Sequence, residues 1–196
     1  MSSSNAAPEG PRSTDDAILD AAAHLIVQLG VRRTQLAEIA RRAGVSRPTV
    51  YRRWPDVQAV IGALLTREIL ATLEGTALAV RDRETFVTRV VEVSVRLRDH
   101  PVLGALLHSD DSDLLLRYVV ERLGTSQRGL LEALRTGIEL GQADGSIRAG
   151  EPTELAAMVL LIAQSTVQSH RMVASLLPEA AWRRELARAL NGYLAP

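Results

Sequence analysis

The chain has 196 residues, of which 46% are hydrophobic and 23% charged, a balance typical of a folded protein and not of a disordered one. It contains no cysteine, which excludes disulfides and thiolate metal sites, and its start does not resemble a secretory signal, so we expect a cytoplasmic protein. Its 23 basic and 23 acidic residues give zero net charge, which by itself disfavours a nucleic-acid-binding protein, and the longest apolar run, 155–163, is too short to span a membrane.

The basic residues are nevertheless concentrated in one stretch of the chain. Residues 31–54 hold seven arginines and a single acid, Glu38, so this stretch carries a charge of +6 and the remainder carries −6. Such a concentration of positive charge is typical of a surface that binds a nucleic-acid backbone. The zero net charge therefore does not exclude a DNA-binding protein.

Residues 34–54 predict two short helices joined by a tight turn. Apolar residues recur at helical spacing in the first helix, and Thr34 is its expected N-cap. Gly44 should end this helix, because glycine readily adopts the left-handed conformation found at helix C-termini. Ser46 is the expected N-cap of the second helix, and Pro48 stiffens its first turn without removing a hydrogen bond. This arrangement is a helix-turn-helix.

The second of these helices carries a polar outer surface suited to DNA. Val50 and Trp54 are expected to face the core. The outer side is left with Arg47, Thr49, Tyr51, Arg52 and Arg53. Guanidinium groups, hydroxyls and one aromatic ring suit base edges, thymine methyls and phosphates in a major groove. The alternative, a solvated face on a structural helix, does not account for the glycine turn, the paired caps and the local positive charge.

The block IARRAGVSRPTVYRRW at 39–54 resembles the TetR family of bacterial transcriptional regulators, and the resemblance extends over about residues 14–65. The shared pattern is an Ile-Ala pair, Ala-Gly-Val-Ser, and then Thr, an apolar residue and Tyr. The chain departs from the family at Gln35, where a threonine usually opens the first helix, and at Val57, where a phosphate-binding lysine usually follows the recognition helix. The arginines at the end of the recognition helix are expected to replace that lysine.

Pattern and resemblance together assign nine residues to DNA. The residues expected to contact bases are Arg47, Thr49 and Tyr51. Those expected to hold phosphates are Thr34, Gln35, Arg52 and Arg53, while Ser46 and Pro48 lie at the start of the recognition helix. The resemblance implies a repressor that binds a palindromic DNA operator as a homodimer and is released by a small apolar effector.

Helical periodicity runs through the rest of the chain and predicts an all-α protein of about nine helices. We expect a disordered tail at 1–13, a three-helix DNA-binding domain at 14–56 and a larger helical effector-binding and dimerisation domain at 57–196. The first helix ends at Gly30, and its expected buried stripe is Ile18, Ala21, Ala22, Leu25, Ile26 and Leu29. A helix from about 57 to 74 begins in the DNA-binding part and ends elsewhere, so it is suited to couple the two parts.

The larger part is predicted to contain five further helices. Their expected ranges are 84–100, 101–108, 113–141, 152–175 and 179–194. The third of them has a weak point at 123–129, where two glycines could kink or split the helix. A solvated turn at 109–113 and a loop at 142–152 separate neighbouring helices.

The last two helices are the expected dimer interface. One recognition helix contacts too few base pairs to specify a unique DNA site, so two recognition helices related by a two-fold axis are needed. The helix at 152–175 is apolar nearly all round and must be covered on both sides. The residues expected to form a four-helix bundle with their two-fold mates are Ala156, Val159, Leu160, Ala163, Val167, Trp182, Leu186, Leu190 and Tyr193.

Polar residues set among apolar ones indicate a place for the effector that the resemblance implies. The expected lining residues are Leu70, Phe86, Tyr118, Gln164, Ser165 and Gln168. Aromatic residues make up only 3% of the chain, which favours an aliphatic or lipid-like molecule over a flat polyaromatic one. The alternative is that these polar side chains serve the dimer interface or pair within the core.

Two other kinds of protein share parts of this pattern. A DNA-binding regulator controlled by a protein partner would need no effector. An α-helical enzyme would need a catalytic site, but the four histidines lack the spacing of helical metal ligands, and the acidic cluster at 110–113 lacks the glycine and closing glutamate of a calcium loop. The sequence contains no phosphate-binding glycine loop or activated-nucleophile motif. We therefore expect a non-enzymatic protein with no metal, no cofactor and no membrane partner.

Overall fold

The computed structural model describes residues 13–74, 76–107 and 125–196. In these ranges the chain forms nine α-helices and no β-strand, so the predicted all-α class is confirmed. The helices are α1 Thr14–Leu29, α2 Leu36–Ala43, α3 Arg47–Arg53, α4 Val57–Glu74, α5 Arg83–Asp99, α6 Pro101–Leu107, α7 Thr125–Ala143, α8 Pro152–Val173 and α9 Glu179–Leu194. A 3-10 helix, Val31–Arg33, follows α1. Within the described ranges, no helix has both the length and the hydropathy needed to cross a membrane.

The chain divides into two compact units. The first unit ends at Leu64 and the second begins at Leu65. This division lies inside α4, whereas the sequence predicts a boundary before that helix. Some predictions fall outside the described residues, namely those for the tail up to residue 12, the turn at 109–113, the segment 113–124 and Tyr118.

In the first unit, local signals set the ends of α1. The Ser13 hydroxyl accepts a hydrogen bond from the Asp16 backbone N–H at 3.0 Å and caps the first turn. Gly30, at φ +79°, ends the helix. The buried side chains are Ile18, Leu19, Ala21, Ala22, Leu25 and Ile26. Leu29, which is predicted to be buried, is instead 45% exposed.

In the second unit, α5 is the central helix. It packs against α6, α7, α8 and α9. Its side chains Phe86, Val87 and Val90 are buried in one core with Ile138 of α7 and Leu190 of α9. Because neighbours cover α5 on several sides, its valine-rich surface is removed from water, and this burial stabilises the unit.

Gly137 lets α7 lie close against α5. A methyl group at this position would lie 2.5 Å from Phe86 Cε2 and 2.6 Å from the Leu78 carbonyl oxygen, closer than real contacts allow. Only a residue without a side chain therefore fits this approach. The helix runs through Gly129 without a break, whereas Gly124, the other glycine of the predicted weak point, lies outside the described residues.

Carboxylate side chains cap two helices of the second unit. Asp82 Oδ1 accepts a hydrogen bond from the Thr85 backbone N–H at 2.7 Å, and this bond lowers the pKa of Asp82 below its ordinary value. Glu151 caps α8 by accepting from the N–H groups of Thr153 and Glu154. The start of α8 therefore agrees with the prediction.

Candidate DNA-binding surface and effector cavity

The turn between α2 and α3 has the geometry that the sequence predicts. Gly44 adopts the left-handed conformation, with φ +68° and ψ +25°, and ends α2. The Val45 N–H donates back to the Ala40 carbonyl at 3.1 Å, which fixes the direction in which the chain leaves the helix. Ser46 Oγ accepts from the Thr49 N–H at 3.3 Å and caps α3, which has a proline in its first turn. The predicted turn and caps of the recognition helix are confirmed.

The outer surface of α3 is polar and accessible. Val50 is fully buried, Tyr51 is 53% exposed, and Arg47 and Arg52 are exposed. Neither arginine has an acidic partner among the described residues, so both guanidinium groups remain open to a ligand. Trp54, which is predicted to face the core, is only half-buried because it lies at the very end of the helix.

Arg53 is held differently from the other arginines of α3. Its Nε forms an ion pair with Asp15 Oδ1 in the first turn of α1. On α2, Arg41 is paired with Glu38, and its hydrogen bond lowers the pKa of Glu38. Part of the local positive charge is therefore balanced within the first unit. Helical spacing predicts the pair on α2 but not the contact with Asp15, which joins two distant parts of the chain.

Thr34 is a structural residue of the first unit and not an N-cap. It is 4% exposed, and its hydroxyl donates to the Gly30 carbonyl at 2.9 Å. Helix α2 begins at Leu36, and Gln35 occupies the N-cap position without a side-chain hydrogen bond. The predicted N-cap role is wrong because the chain first forms a 3-10 turn, which the Thr34 side chain closes. Burial also removes Thr34 from the surface that a phosphate can reach.

The second unit contains a cavity of about 120 Å³ between α4, α5, α7 and α8. The apolar part of its wall consists of Leu65, Ile69, Leu78, Val90, Val93, Leu97, Leu103, Leu130, Leu134, Leu160, Ala163 and Val167. The polar part consists of Ser94, Gln127, Gln164 and Gln168. No charged side chain belongs to this wall among the described residues. Such a cavity suits a mainly apolar molecule with few polar groups.

Only part of the predicted cavity lining is found on this wall. Gln164 and Gln168 lie on it, as predicted. Phe86 is fully buried in the core and Leu70 lies outside the wall, so both assignments are corrected. Ser165 is exposed, because one residue along a helix turns the side chain by about 100° away from its neighbour. The aliphatic wall residues were not predicted, since their spacing is that of ordinary core residues.

A polar cluster around Arg98 links α5 to α9. The guanidinium donates through Nε to Asp99 and through Nη2 to Glu179, both at 2.8 Å. It lies 4.9 Å from the centre of the Trp182 ring, and the side chain is only 9% exposed. Hydrogen bonding by Arg98 lowers the pKa of Asp99, and hydrogen bonding by Arg183 and Arg98 lowers that of Glu179. Both carboxylates therefore stay ionised at neutral pH.

Most of the predicted dimer-interface residues are buried inside their own chain. The buried ones are Ala156, Val159, Leu160, Trp182, Leu186 and Leu190. Ala163 and Val167 line the cavity, and Tyr193 lies under the Arg148 guanidinium. The assignment is corrected, because the inward side of α8 packs against α5, α7 and α9. The outward side of α8 carries exposed apolar residues instead, namely Met158, Leu161, Met172 and Val173.

Residues 18–64 match the family model for bacterial regulatory proteins of the tetR family. An uncharacterized HTH-type transcriptional regulator of Mycobacterium bovis is 50% identical over 181 residues, which cover 92% of this chain and 94% of the relative. The chain belongs to the TetR family of bacterial transcriptional regulators. It is a DNA-binding transcriptional regulator of the helix-turn-helix type, as the block at 39–54 predicts.

Solved structures share the TetR fold over nearly the whole chain. The fatty acid degradation regulator FadR from Bacillus halodurans has a TM-score of 0.68 at 18% identity and covers 93% of this chain and 96% of its own. FadR from Bacillus subtilis in complex with stearoyl-CoA has a TM-score of 0.64 at 19% identity, covering 91% of this chain and 98% of its own. At these identities the likeness concerns the fold, which is an N-terminal helix-turn-helix with a larger helical body.

Proposed function

We propose that this TetR-family regulator is a cytoplasmic repressor that binds a palindromic operator as a homodimer and leaves it when a small, mainly apolar effector enters the cavity. The observation that supports this most is the α2–α3 pair. Its left-handed glycine turn directs α3 away from α2, and α3 carries the exposed Arg47, Tyr51 and Arg52. A short helix of this kind enters a major groove with its N-terminal residues at the base edges.

Position along α3 separates base contacts from phosphate contacts. The proposed base-contacting residues are Arg47, Thr49 and Tyr51. The proposed phosphate-contacting residues are Gln35, Arg52 and Arg53, with Ser46 and Pro48 close to the DNA at the start of the helix. Phosphate contacts position a protein, and base contacts specify its site. Arg53 is paired with Asp15, so a phosphate has to compete with a carboxylate for it.

The exposed apolar side of α8 supports the homodimer. Met158, Leu161 and Met172 follow one another at intervals of three and eleven residues, so they lie along one side of the helix. Leu161 is 60% exposed and Met172 is 83% exposed. Large apolar side chains gathered on one exposed face favour a protein–protein contact. Two copies of α8 packed about a two-fold axis would cover them, and the two recognition helices would then read half-sites about 34 Å apart or a multiple of that distance.

The cavity supports control by a ligand because part of its wall belongs to α4. Leu65 and Ile69 line it, and α4 begins in the first unit. A ligand changes operator affinity only when it binds the DNA-competent and the incompetent arrangements unequally. We infer that an effector displaces α4 and thereby favours the incompetent arrangement. By linkage, the operator-bound protein must bind that effector more weakly by the same factor, typically about 5–150-fold.

An operator selected from random DNA by the purified protein provides the test of base and phosphate contacts. Arg47→Ala should lose about 1–3 kcal/mol of binding free energy on the selected site and less on random DNA, because it removes a base contact. Arg52→Ala should weaken binding to both DNAs alike and reduce its salt dependence, because it removes a phosphate contact. Fluorescence anisotropy titrations at several salt concentrations measure both effects.

Arg188→Ala is the matched control, since this exposed arginine lies on α9. It should change neither affinity. Equal losses on the two DNAs from Arg47→Ala would refute its role in base recognition. In cells, a reporter promoter that overlaps the selected site should be silenced by the protein, and increased expression would show an activator instead of a repressor.

A further inference from the structure

We propose that the effector is an uncharged amphiphile, with an aliphatic body and one neutral hydrogen-bonding group held by the amides of Gln164 and Gln168. This inference rests on the proposed function, because it names the ligand class of the cavity in the second unit. It goes beyond an apolar effector in excluding carboxylates, phosphates and ammonium ions from the buried part of the ligand.

The chemistry of the cavity wall favours a neutral ligand. Among the described residues, sixteen side chains line the cavity; twelve are aliphatic, and the other four are one serine and three glutamines. An ion placed against such a wall would lose its hydration without gaining an opposite charge, whereas a neutral polar group needs only a hydrogen-bond partner. The wall therefore favours neutral ligands over ions of the same size.

Two amides of α8 can bind the polar group of the ligand. Gln164 and Gln168 are one helical turn apart, so both point to the same side of the helix, and both lie on the cavity wall. Neither amide has a hydrogen-bond partner among the described residues. Each offers two donors and one acceptor, which match a hydroxyl, ester, ketone or amide group. Elsewhere on the wall, the Ser94 hydroxyl donates to the Val90 carbonyl at 2.8 Å, so its oxygen remains an acceptor for the ligand.

Within the described part of the chain, a polar cavity next to the apolar one offers a place for a charged head group. This cavity, of about 610 Å³, shares Val167 with the apolar one and is lined by Arg98, Asp99 and Glu179. Both carboxylates already accept hydrogen bonds from Arg98, so its positive charge is balanced inside the protein. The cavity's other described arginine, Arg171, is exposed, so an acid bound to it would stay in contact with water. Two imidazoles, His100 and His170, also line this cavity, and His100 Nε2 lies 3.3 Å from a Glu68 carboxylate oxygen.

Six-carbon probes of different charge test the proposal on the full-length protein. An apolar cavity of roughly 150 Å³ holds benzene, which makes six carbons a suitable starting size for this one. At pH 7.5, 1-hexanol and hexanamide are neutral, hexanoate is an anion and hexylamine is a cation. We expect both neutral probes to bind at least tenfold more tightly than either ion, in titrations followed by thermal shift.

Variants at Gln164 and Gln168 test whether these two amides bind the polar group of the probes. Gln164→Leu should weaken hexanamide binding at least fivefold, because it removes a hydrogen-bond partner without adding charge. Gln168→Glu should reverse the preference, so that hexylamine binds more tightly than hexanol, because the new carboxylate pairs with the ammonium group. Ser169→Ala, at an exposed position on the same helix, is the control and should leave all four affinities unchanged. Circular dichroism establishes that each variant is folded.

Several results would overturn the proposal. Hexanoate binding as tight as that of hexanol would do so, and loss of that binding in Arg171→Ala would place an acidic head group in the polar cavity. No binding by any of the four probes would also reject the ligand class. The neutral probes could also bind free and operator-bound protein with equal affinity. That result would show that ligand binding in the cavity does not control DNA binding, but it would not contradict the proposed ligand class.

Discussion

At the scale of single residues, Thr34 shows a side chain that serves the protein interior instead of DNA. We expect Thr34→Val to lower the free energy of unfolding by about 1 kcal/mol, because valine keeps the shape but cannot donate to the Gly30 carbonyl. The affinity of the folded protein for DNA should not change, since Thr34 is buried. Urea denaturation and titration with random DNA measure the two quantities.

Gln35→Ala is the companion variant for this position. Gln35 is exposed and makes no side-chain cap hydrogen bond, so its replacement should leave stability unchanged. It should weaken DNA binding if the residue holds a phosphate as proposed. If Thr34→Val had normal stability but weakened DNA binding, Thr34 would be a DNA-contacting residue after all.

At the scale of helices, the close approach of α5 and α7 depends on one glycine. We expect Gly137→Ala to destabilise the protein by about 1–3 kcal/mol, because the new methyl group would overlap the Phe86 ring and the Leu78 carbonyl. The helices would have to separate, which also disturbs the cavity wall between them. Thermal unfolding followed by circular dichroism measures the loss.

Gly104→Ala is the matched control for this change. Gly104 lies inside α6, and a methyl group there meets no atom within 4 Å. Alanine should therefore stabilise the protein slightly, by about 0.5–1 kcal/mol, through its higher helix propensity. If both variants behaved alike, the packing of α5 against α7 would not be as close as described.

The link between α5 and α9 predicts a dependence of stability on pH. The folded-state pKa values of Asp99 and Glu179 lie below the ordinary values of 3.8 and 4.5. Their ionised forms therefore stabilise the folded chain above about pH 5, and this contribution is lost as the pH falls through the lowered values. The charge contribution is small because both carboxylates are half exposed, so the contact of Arg98 with Trp182 carries much of the stabilisation.

Arg98→Met tests this link. At pH 7 we expect it to lower stability by about 1–2 kcal/mol, through the loss of the ring contact and of the paired charge. The difference from wild type should shrink below pH 4 but not vanish, because the ring contact does not titrate. Arg188 is exposed and its described partner is Glu185, so Arg188→Met should show no difference from wild type at any pH. If the difference in stability between Arg98→Met and wild type stayed constant from pH 7 to pH 3, the two carboxylates would not contribute to the stability of this link.

At the scale of the whole molecule, the proposed dimer depends on the outward side of α8. We expect Leu161→Arg to weaken self-association at least tenfold, because it places a charge where two apolar surfaces should meet. Analytical ultracentrifugation at micromolar concentration measures the change. Operator binding should weaken in parallel, since a monomer reads one half-site only.

Val27→Arg is the control for this prediction. Val27 is an exposed apolar residue of α1, in the first unit, and its replacement should leave the dimer intact. A Leu161→Arg protein that remained dimeric would place the interface on another surface. A wild-type protein that is monomeric at micromolar concentration would reject the homodimer itself.

The sequence alone determined the features that depend on neighbouring residues. The turn at Gly44, the cap at Ser46 and the start of α8 were all predicted and are confirmed, because a cap or a turn is made by residues within one helical turn. The all-α class and the TetR family followed from the same local patterns, and the local concentration of arginines marked the DNA-binding stretch.

Only the tertiary structure decided which side of each helix faces inward. In α8, which is apolar nearly all round, Val159 is buried and Leu161 is exposed because neighbouring helices cover one side only. Periodicity cannot make that distinction in a helix without a polar side. The pairing of Arg98 with Glu179 joins residues 81 positions apart. Contacts of this kind arise from the packing of distant elements, which is why the aliphatic part of the cavity wall and the outward face of α8 could not be predicted from local spacing.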